Sequence, residues 1–159
     1  MAQKIFEKFG FGACLFETQA LLSLMAEGHN TGLVLDSGDG VTHIIPVVEG
    51  FVFKHAAMEG RLNLAGRHVT KYLIKLLGMR GYAFNSSADF ELVREIKEQM
   101  CFISYDRHKD RQLAEETTLL DKEYKLPDGK NIRIGRERFE AGECLFRPRV
   151  AGLDDVGFH

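Results

Sequence analysis

Asp36-Ser37-Gly38-Asp39-Gly40-Val41-Thr42-His43 lies between two apolar, strand-like runs at 32–35 and 44–48. A hairpin turn needs only one or two residues that tolerate a positive φ, yet this stretch carries two glycines, two carboxylates and two hydroxyls. Backbone N–H groups beside glycines can close around an anion. A carboxylate beside that anion site would repel a bare phosphate, so its presence suggests a metal ion between the carboxylate and the phosphate. The stretch indicates a phosphate-binding hairpin for a magnesium nucleotide; the alternative is an ordinary Gly-Asp-Gly surface turn.

The composition is that of a globular protein, with 159 residues, 45% hydrophobic and 28% charged, enough for one domain or two small lobes. A net charge of −2 provides no basic field for nucleic acid or an acidic membrane. No apolar run approaches the length of a membrane span. We therefore expect no nucleic-acid partner and no membrane insertion. The three cysteines lack metal-ligand spacing and are typical of reduced thiols in a cytosolic protein.

The apolar residues predict three helices and a second hairpin. We expect a buried helix over 11–27 that ends at Gly28, because apolar residues leave it little polar face. A second helix opens at Gly66 and ends near Gly81. A third, amphipathic helix covers 88–103. Beyond it, 119–134 predicts a hairpin whose turn is Pro127-Asp128-Gly129.

The amphipathic helix over 88–103 has two distinct faces. Its apolar face consists of Leu92, Val93, Ile96, Met100 and Ile103. The opposite face carries Arg94, Lys97 and Glu98. The ordinary interpretation of such a stripe is a solvated surface with weak ion pairs. The functional alternative is a wall that binds a polar ligand with charges of both signs.

Segments spread over nearly the whole chain resemble the actin superfamily. The hairpin at 36–43, followed by Pro46 and Glu49-Gly50, resembles its second phosphate-binding hairpin. Further segments recur in that superfamily at this spacing: Leu64-Ala65-Gly66-Arg67, Tyr72-Leu73, Arg80-Gly81-Tyr82, the run at 93–98, Leu126-Pro127-Asp128-Gly129 and Glu137-Arg138-Phe139. Within the superfamily, the segments at 81–91 and 113–118 are more similar to an actin-related protein than to conventional actin.

The resemblance implies an α/β fold. We expect an actin-like ATPase lobe of ribonuclease-H-like type, with a smaller α/β subdomain inserted, as a fragment of a two-lobe fold. Residues 1–64 and 150–159 would belong to the larger nucleotide-binding subdomain and 65–149 to the smaller one. The first lobe, with its phosphate loop, and the glycine-rich adenine clamp are not in this sequence.

The same resemblance assigns residues that would bind Mg²⁺ and ATP. Asp36 would hold the metal through water. The backbone of Gly38, Asp39 and Gly40 would face the phosphates, and the Asp39 side chain would face the ribose. Gly66 would lie near the nucleotide.

The resemblance also assigns the adenosine side and the hydrolytic residues. Arg94, Lys97 and Glu98 would line the adenosine side, where they offer both donors and acceptors. Gln19 would place the attacking water and His43 would assist it, so slow ATP hydrolysis is implied. We expect the segment alone to be inactive, because it carries one wall of the cleft.

The function implied is that of an assembly protein, an ATP-binding actin-related subunit of the actin-nucleating complex that starts branched filaments. Nucleotide would gate cleft closure and assembly. Its partners would be actin, the other complex subunits and nucleation-promoting factors, in the cytoplasmic actin cytoskeleton. The alternatives are a divergent conventional actin that polymerises itself and a sugar-kinase-type enzyme of the same superfold. Fold alone does not choose among these functions.

Overall fold

The computed structural model describes residues 1–53, 55, 56, 60–154, 157 and 158. It divides into two compact units. The first consists of Met1–Asp36 and His43–Arg61, and the second of Ser37–Thr42 and Leu62–His159. Within the described residues, no helix combines the length and the apolar character that a membrane crossing requires.

The first unit is organised around a four-stranded sheet. Its strands are β1 (Gly32–Ser37), β2 (Thr42–Val48), β3 (Phe51–Val52) and β4 (Arg61–Leu62). The order is β1-β2-β3, and β4 also pairs with β2. The β2–β3 turn is Glu49-Gly50, with φ of 50° and 81°. Two consecutive positive φ values match the type I′ turn that a two-residue hairpin favours.

The predicted buried helix over 11–27 is wrong in length and in burial. A π-helical turn covers Lys4–Lys8, and the α-helix itself, α1, covers only Gln19–Ala26. Only Ala20 and Leu21 are buried in it, whereas Leu15 is 80% exposed. Apolar composition predicted burial of the whole segment, but burial also requires a packing partner, and most of this segment is exposed. Gly28 does follow the helix, as predicted, with φ of 78°.

The second unit packs helices around one apolar core. Its helices are α2 (Gly66–Met79), α3 (Ser87–Met100), α4 (Arg107–Glu116) and α5 (Glu137–Glu140). Strands β5 (Lys122–Lys125) and β6 (Asn131–Ile134) pair antiparallel, and 3₁₀ turns cover Gly142–Leu145 and Pro148–Ala151. Helix α2 packs against α3, α5 and the first 3₁₀ turn. The buried core comprises Val69, Leu73, Leu76, Leu77, Val93, Ile96, Ile132, Ile134, Ala141 and Cys144.

Most predicted elements of the second unit are confirmed. Helix α2 begins at Gly66, and Gly81, with φ of 98°, follows its end. The hairpin turns at Gly129, whose N–H donates to the Leu126 carbonyl at 2.9 Å. On the predicted apolar face of α3, Val93 and Ile96 are buried and Leu92 and Met100 are partly buried. Ile103 lies beyond the helix end and is 49% exposed.

The predicted division into subdomains 1–64 with 150–159 and 65–149 stays a prediction. Residues 155, 156 and 159 of the last segment, and 54 and 57–59 of the first, lie outside the described residues.

Candidate functional site

The turn that follows β1 is held in place by the hydroxyl groups of a buried threonine and an exposed serine. The Thr42 hydroxyl is fully buried and donates to the Leu64 carbonyl oxygen at 2.6 Å. Because that hydroxyl has one proton, the Ser37 hydroxyl must donate to it across 2.8 Å. The Gly38 N–H donates to the Val41 carbonyl at 3.1 Å and closes the turn. These bonds anchor the turn to the segment that leads into α2.

The first residues of α2 bind the same turn. The Gly66 N–H donates to the Gly38 carbonyl at 3.0 Å, and the Arg67 N–H donates to the Asp39 carbonyl at 2.7 Å. Nε and Nη2 of Arg67 donate to Oδ2 of Asp39 at 3.0 and 2.7 Å. Two helix N–H groups without intrahelical partners are satisfied in this way. We call Gly38, Asp39, Gly66 and Arg67 the loop–helix clasp.

The close approach leaves little room for a side chain at Gly66. A Cβ added there would lie 3.3 Å from the Gly38 carbonyl oxygen and 3.4 Å from Lys97 Nζ. Lys97 Nζ itself donates to the Gly66 carbonyl at 3.4 Å. The ammonium group of α3 is therefore held beside the clasp.

A cavity of about 370 Å³ opens next to the clasp. Its walls include Ser37, Gly38, Gly66, Lys97, Cys101 and Phe102. Burial raises the pKa of the Cys101 thiol to about 11, so this thiol stays protonated at neutral pH and is a poor nucleophile. The cavity thus combines one cation with apolar walls, which is the usual composition of a small-molecule site.

Two backbone N–H groups of the turn are available to a ligand. The Gly38 N–H is used inside the turn, but those of Asp39 and Gly40 have no acceptor among the described residues of this unit. Adjacent N–H groups of this kind bind anions, and Lys97 adds a positive charge. The donors therefore fit a phosphate group, with Asp39 and Gly40 rather than Gly38 as the N–H donors.

Lys97 lies in a different environment from Arg94 and Glu98, the other two residues of the predicted charged stripe. Arg94 and Glu98 line a second cavity of about 400 Å³, together with Glu95 and Pro127. Nη2 of Arg94 pairs with Oε2 of Glu91 at 2.8 Å. The structure places Lys97 against the clasp, whereas Arg94 and Glu98 lie on an exposed part of α3.

Gln19, Asp36 and His43 belong to the first unit. Gln19 is the exposed first residue of α1, and the other two are half-buried on β1 and β2. Because Ser37 faces Thr42 across the hairpin, Asp36 lies opposite His43 on the other face of the two strands. No hydrogen bond among the described residues joins the three side chains. Their predicted catalytic and metal-binding roles stay predictions.

A metal ion would have few protein ligands here. Among the described residues, no group of three His, Cys, Asp or Glu side chains is placed to hold one. Mg²⁺ commonly keeps several waters and binds through one or two carboxylates plus phosphates. Water-mediated binding of Mg²⁺ by Asp36 stays a prediction.

Sequence reasoning missed the roles of Arg67 and of the Ser37–Thr42 hydroxyl pair. From the sequence, Arg67 was named only within a segment that resembles the superfamily, yet it contacts Asp39 through both backbone and side chain. The available signal was its position after the apolar pair Leu64-Ala65 and Gly66, at the start of a predicted helix. For Ser37 and Thr42, the signal was two hydroxyls symmetrically placed across the turn.

The sequence model described as Actin matches residues 1–156. The chain belongs to the actin family. Proteins named actin-related protein 2 are similar to it over 157 residues: 56% identical in Acanthamoeba castellanii, 54% in Oryza sativa subsp. indica and 53% in Schizosaccharomyces pombe. Each alignment covers 99% of this chain and 40% of the relative. The chain thus spans about 40% of the length of the curated relatives it matches.

Actin-family membership confirms the predicted resemblance and the predicted fold class. The mixed helices and strands of the two units are a segment of an actin-family domain. The similarity to proteins named actin-related protein 2 extends through the segment at 81–91, on which the distinction from conventional actin was based.

Proposed function

We propose that this chain is the ATP-binding segment of an actin-related subunit in the actin-related protein 2/3 complex, which starts branched actin filaments. The observation that carries the proposal is the loop–helix clasp of an actin-family chain: Lys97 Nζ donates to its Gly66 carbonyl, and the Asp39 N–H has no acceptor among the described residues of this unit. The names of its relatives favour an actin-related subunit over conventional actin.

The nucleotide would be held mainly by the second unit. The N–H groups of Asp39 and Gly40 would donate to phosphate oxygens, and Lys97 would offset their charge. The Asp39 carboxylate would accept a ribose hydroxyl, with Gly66 close to the nucleotide. Bound Mg²⁺, held through water by Asp36, would neutralise phosphate charge.

The adenosine and the attacking water would be served by other residues. Arg94 and Glu98 would lie on the adenosine side of α3. Gln19 would orient water for slow hydrolysis and His43 would assist, since positioning is most of what phosphoryl transfer needs.

Assembly would depend on the nucleotide through a shift in population. ATP stabilises the closed cleft only by binding it more tightly than the open one, and closed subunits would then favour contacts within the complex. The partners proposed are actin, the other complex subunits and nucleation-promoting factors, within the cytoplasmic actin cytoskeleton.

The nucleotide site is tested by NMR on the ¹⁵N-labelled 159-residue chain titrated with Mg-ATP, because NMR detects binding even at millimolar dissociation constants. We expect the amide signals of 38–40 and 66 to shift. Lys97→Gln should weaken binding several-fold. The matched control is Lys75→Gln, which changes an exposed lysine of α2. Shifts confined to other regions, or equal affinity in Lys97→Gln, would exclude this site.

The assembly role is tested by joining the chain to the remaining sequence of the Acanthamoeba castellanii relative. We expect this protein to co-purify with the other subunits of the complex and to support branch formation with actin. Self-polymerisation without those subunits would instead support conventional actin. If the protein neither co-purifies with the other subunits nor supports branch formation, the assembly role is refuted.

A further inference from the structure

Arg67 holds one particular oxygen of Asp39. Both guanidinium contacts, from Nε at 3.0 Å and Nη2 at 2.7 Å, go to Oδ2. Among the described residues, no hydrogen bond reaches Oδ1. Half of the Asp39 side chain is exposed. Arg67 therefore leaves Asp39 with one occupied and one open acceptor.

The same arginine also fixes the Asp39 backbone. Its N–H donates to the Asp39 carbonyl at 2.7 Å, while the neighbouring Gly66 N–H donates to the Gly38 carbonyl at 3.0 Å. Backbone and carboxylate of Asp39 are thus both held by one residue at the start of α2. A fixed acceptor loses less conformational entropy when a ligand donates to it.

The charge of Asp39 would otherwise oppose a phosphorylated ligand. Its N–H group and that of Gly40 face a proposed phosphate site, where an unpaired carboxylate repels the anion. The guanidinium of Arg67, whose Nη2 lies 2.7 Å from Oδ2, offsets part of that charge. The carboxylate can then serve as a hydroxyl acceptor beside bound phosphate.

We propose that Arg67 is the positioning residue for ribose recognition, because it aims the open Oδ1 of Asp39 at a ribose hydroxyl and offsets part of the carboxylate's charge. The inference rests on the proposed nucleotide site and adds a residue that determines specificity. Arg67 would favour ribonucleotides over deoxynucleotides through Asp39, without itself contacting the sugar.

The test compares three ligands on the ¹⁵N-labelled chain: Mg-ATP, its 2′-deoxy analogue and its 3′-deoxy analogue. A hydroxyl bound to a charged acceptor is worth roughly tenfold in affinity, so the chain should prefer ATP over at least one deoxy analogue by about that factor. Arg67→Ala should reduce this preference to about twofold or less. Arg67→Lys, which keeps the charge and one donor, should retain part of it.

Lys71→Ala, an exposed lysine further along α2, is the matched control and should leave the preference unchanged. The Arg67 Nε–H signal should persist at ATP saturation, because Arg67 stays on Oδ2 while the ribose uses Oδ1. Its loss on binding would show that Arg67 competes with the ribose, and would overturn the proposal.

Two further results separate the possible failures. If Arg67→Ala weakens ATP and both deoxy analogues by the same factor, the clasp is only structural and the positioning role is refuted. If the unmodified chain shows no binding of any of the three ligands, the proposed nucleotide site fails in this chain, and the inference fails with it.

Discussion

Arg138 is a buried cation that ties the end of α3 to the loop before β5. It is 8% exposed, and Nε and Nη1 donate to the carbonyls of Met100 and Leu120 at 2.8 and 2.5 Å. Its guanidinium carbon lies 5.0 Å from the centre of the Phe102 ring. The Phe102 N–H in turn donates to the Arg138 carbonyl at 3.1 Å. One side chain thus satisfies two carbonyls and packs on an aromatic ring.

Replacing Arg138 with alanine should cost the second unit about 3.5–8 kcal/mol, from two charged hydrogen bonds and one cation–π contact. Each hydrogen bond from a charged donor contributes roughly 1.5–3 kcal/mol, and removing the donor leaves partly buried carbonyls unsatisfied. The cation–π contact adds about 0.5–2 kcal/mol. Arg138→Lys should lose about 2 kcal/mol, because an ammonium group cannot reproduce the planar, two-directional donation.

The measurement is urea unfolding followed by far-ultraviolet circular dichroism and by tyrosine absorbance, since the chain has four tyrosines and no tryptophan. Arg149→Ala, which removes an exposed arginine, is the control and should stay within about 0.5 kcal/mol of the unmodified chain. A loss below about 1 kcal/mol for Arg138→Ala, at an unchanged urea dependence, would refute the argument. Such a result would mean that water or a rearranged donor replaces the guanidinium.

Three further predictions concern packing, thiol chemistry and pH. Leu77→Ala should destabilise the chain by about 2–5 kcal/mol in urea, whereas Leu119→Ala, at a position that is 77% exposed, should cost less than about 0.5 kcal/mol; equal losses would contradict the assigned core. Burial raises the pKa of Cys101 to about 11 from 9.0, so at pH 8 its thiolate fraction is roughly a hundredfold lower than that of a thiol with the usual pKa. We therefore expect iodoacetamide to modify the exposed Cys14 before Cys101, and peptide mass mapping would show the order. Hydrogen bonds with the residue that caps the start of α3, mainly through its backbone and less through its side chain, lower the pKa of Asp89. The ionised Asp89 therefore stabilises the fold above pH 3.8, and this contribution is lost as the pH falls through the lowered pKa. Asp89→Asn should therefore destabilise the chain at about pH 6 more than at about pH 2, and a pH-independent difference would refute this linkage.

The elements that could be predicted are those specified by neighbouring residues. Helices α2 and α3 show their apolar faces at helical spacing, and the turn at Pro127-Asp128-Gly129 contains a glycine in the left-handed conformation it requires, with φ of 87°. Such signals act over a few residues and do not depend on the rest of the fold.

The buried helix predicted over 11–27 shows where this reasoning stops. Its apolar residues satisfy the composition of a core helix, yet Leu15 is 80% exposed and Leu22 is 48% exposed. Whether an apolar side chain is buried depends on what packs against it, and a one-dimensional pattern does not contain that information.

The candidate site likewise has features that the sequence predicts and features that depend on packing. The stretch at 36–43 and the glycine at 66 were recognisable because turns and helix starts have local signatures. The pairing of Arg67 with Asp39 joins residues 28 positions apart, and the Thr42 hydroxyl reaches Leu64 over 22 positions. The separation of Lys97 from Arg94 and Glu98 is likewise a matter of packing.

By itself, the sequence determined the family, the positions of α2 and α3, and the phosphate-loop composition of the hairpin at 36–43. The tertiary structure alone decided that Arg67 engages Asp39, that the Gly38 N–H is used inside the turn, and that Lys97 faces the clasp. The physical reason is distance along the chain. Periodicity, caps and turns are governed by torsions and contacts over a few residues, whereas a hydrogen bond between distant segments exists only after the core has packed them together.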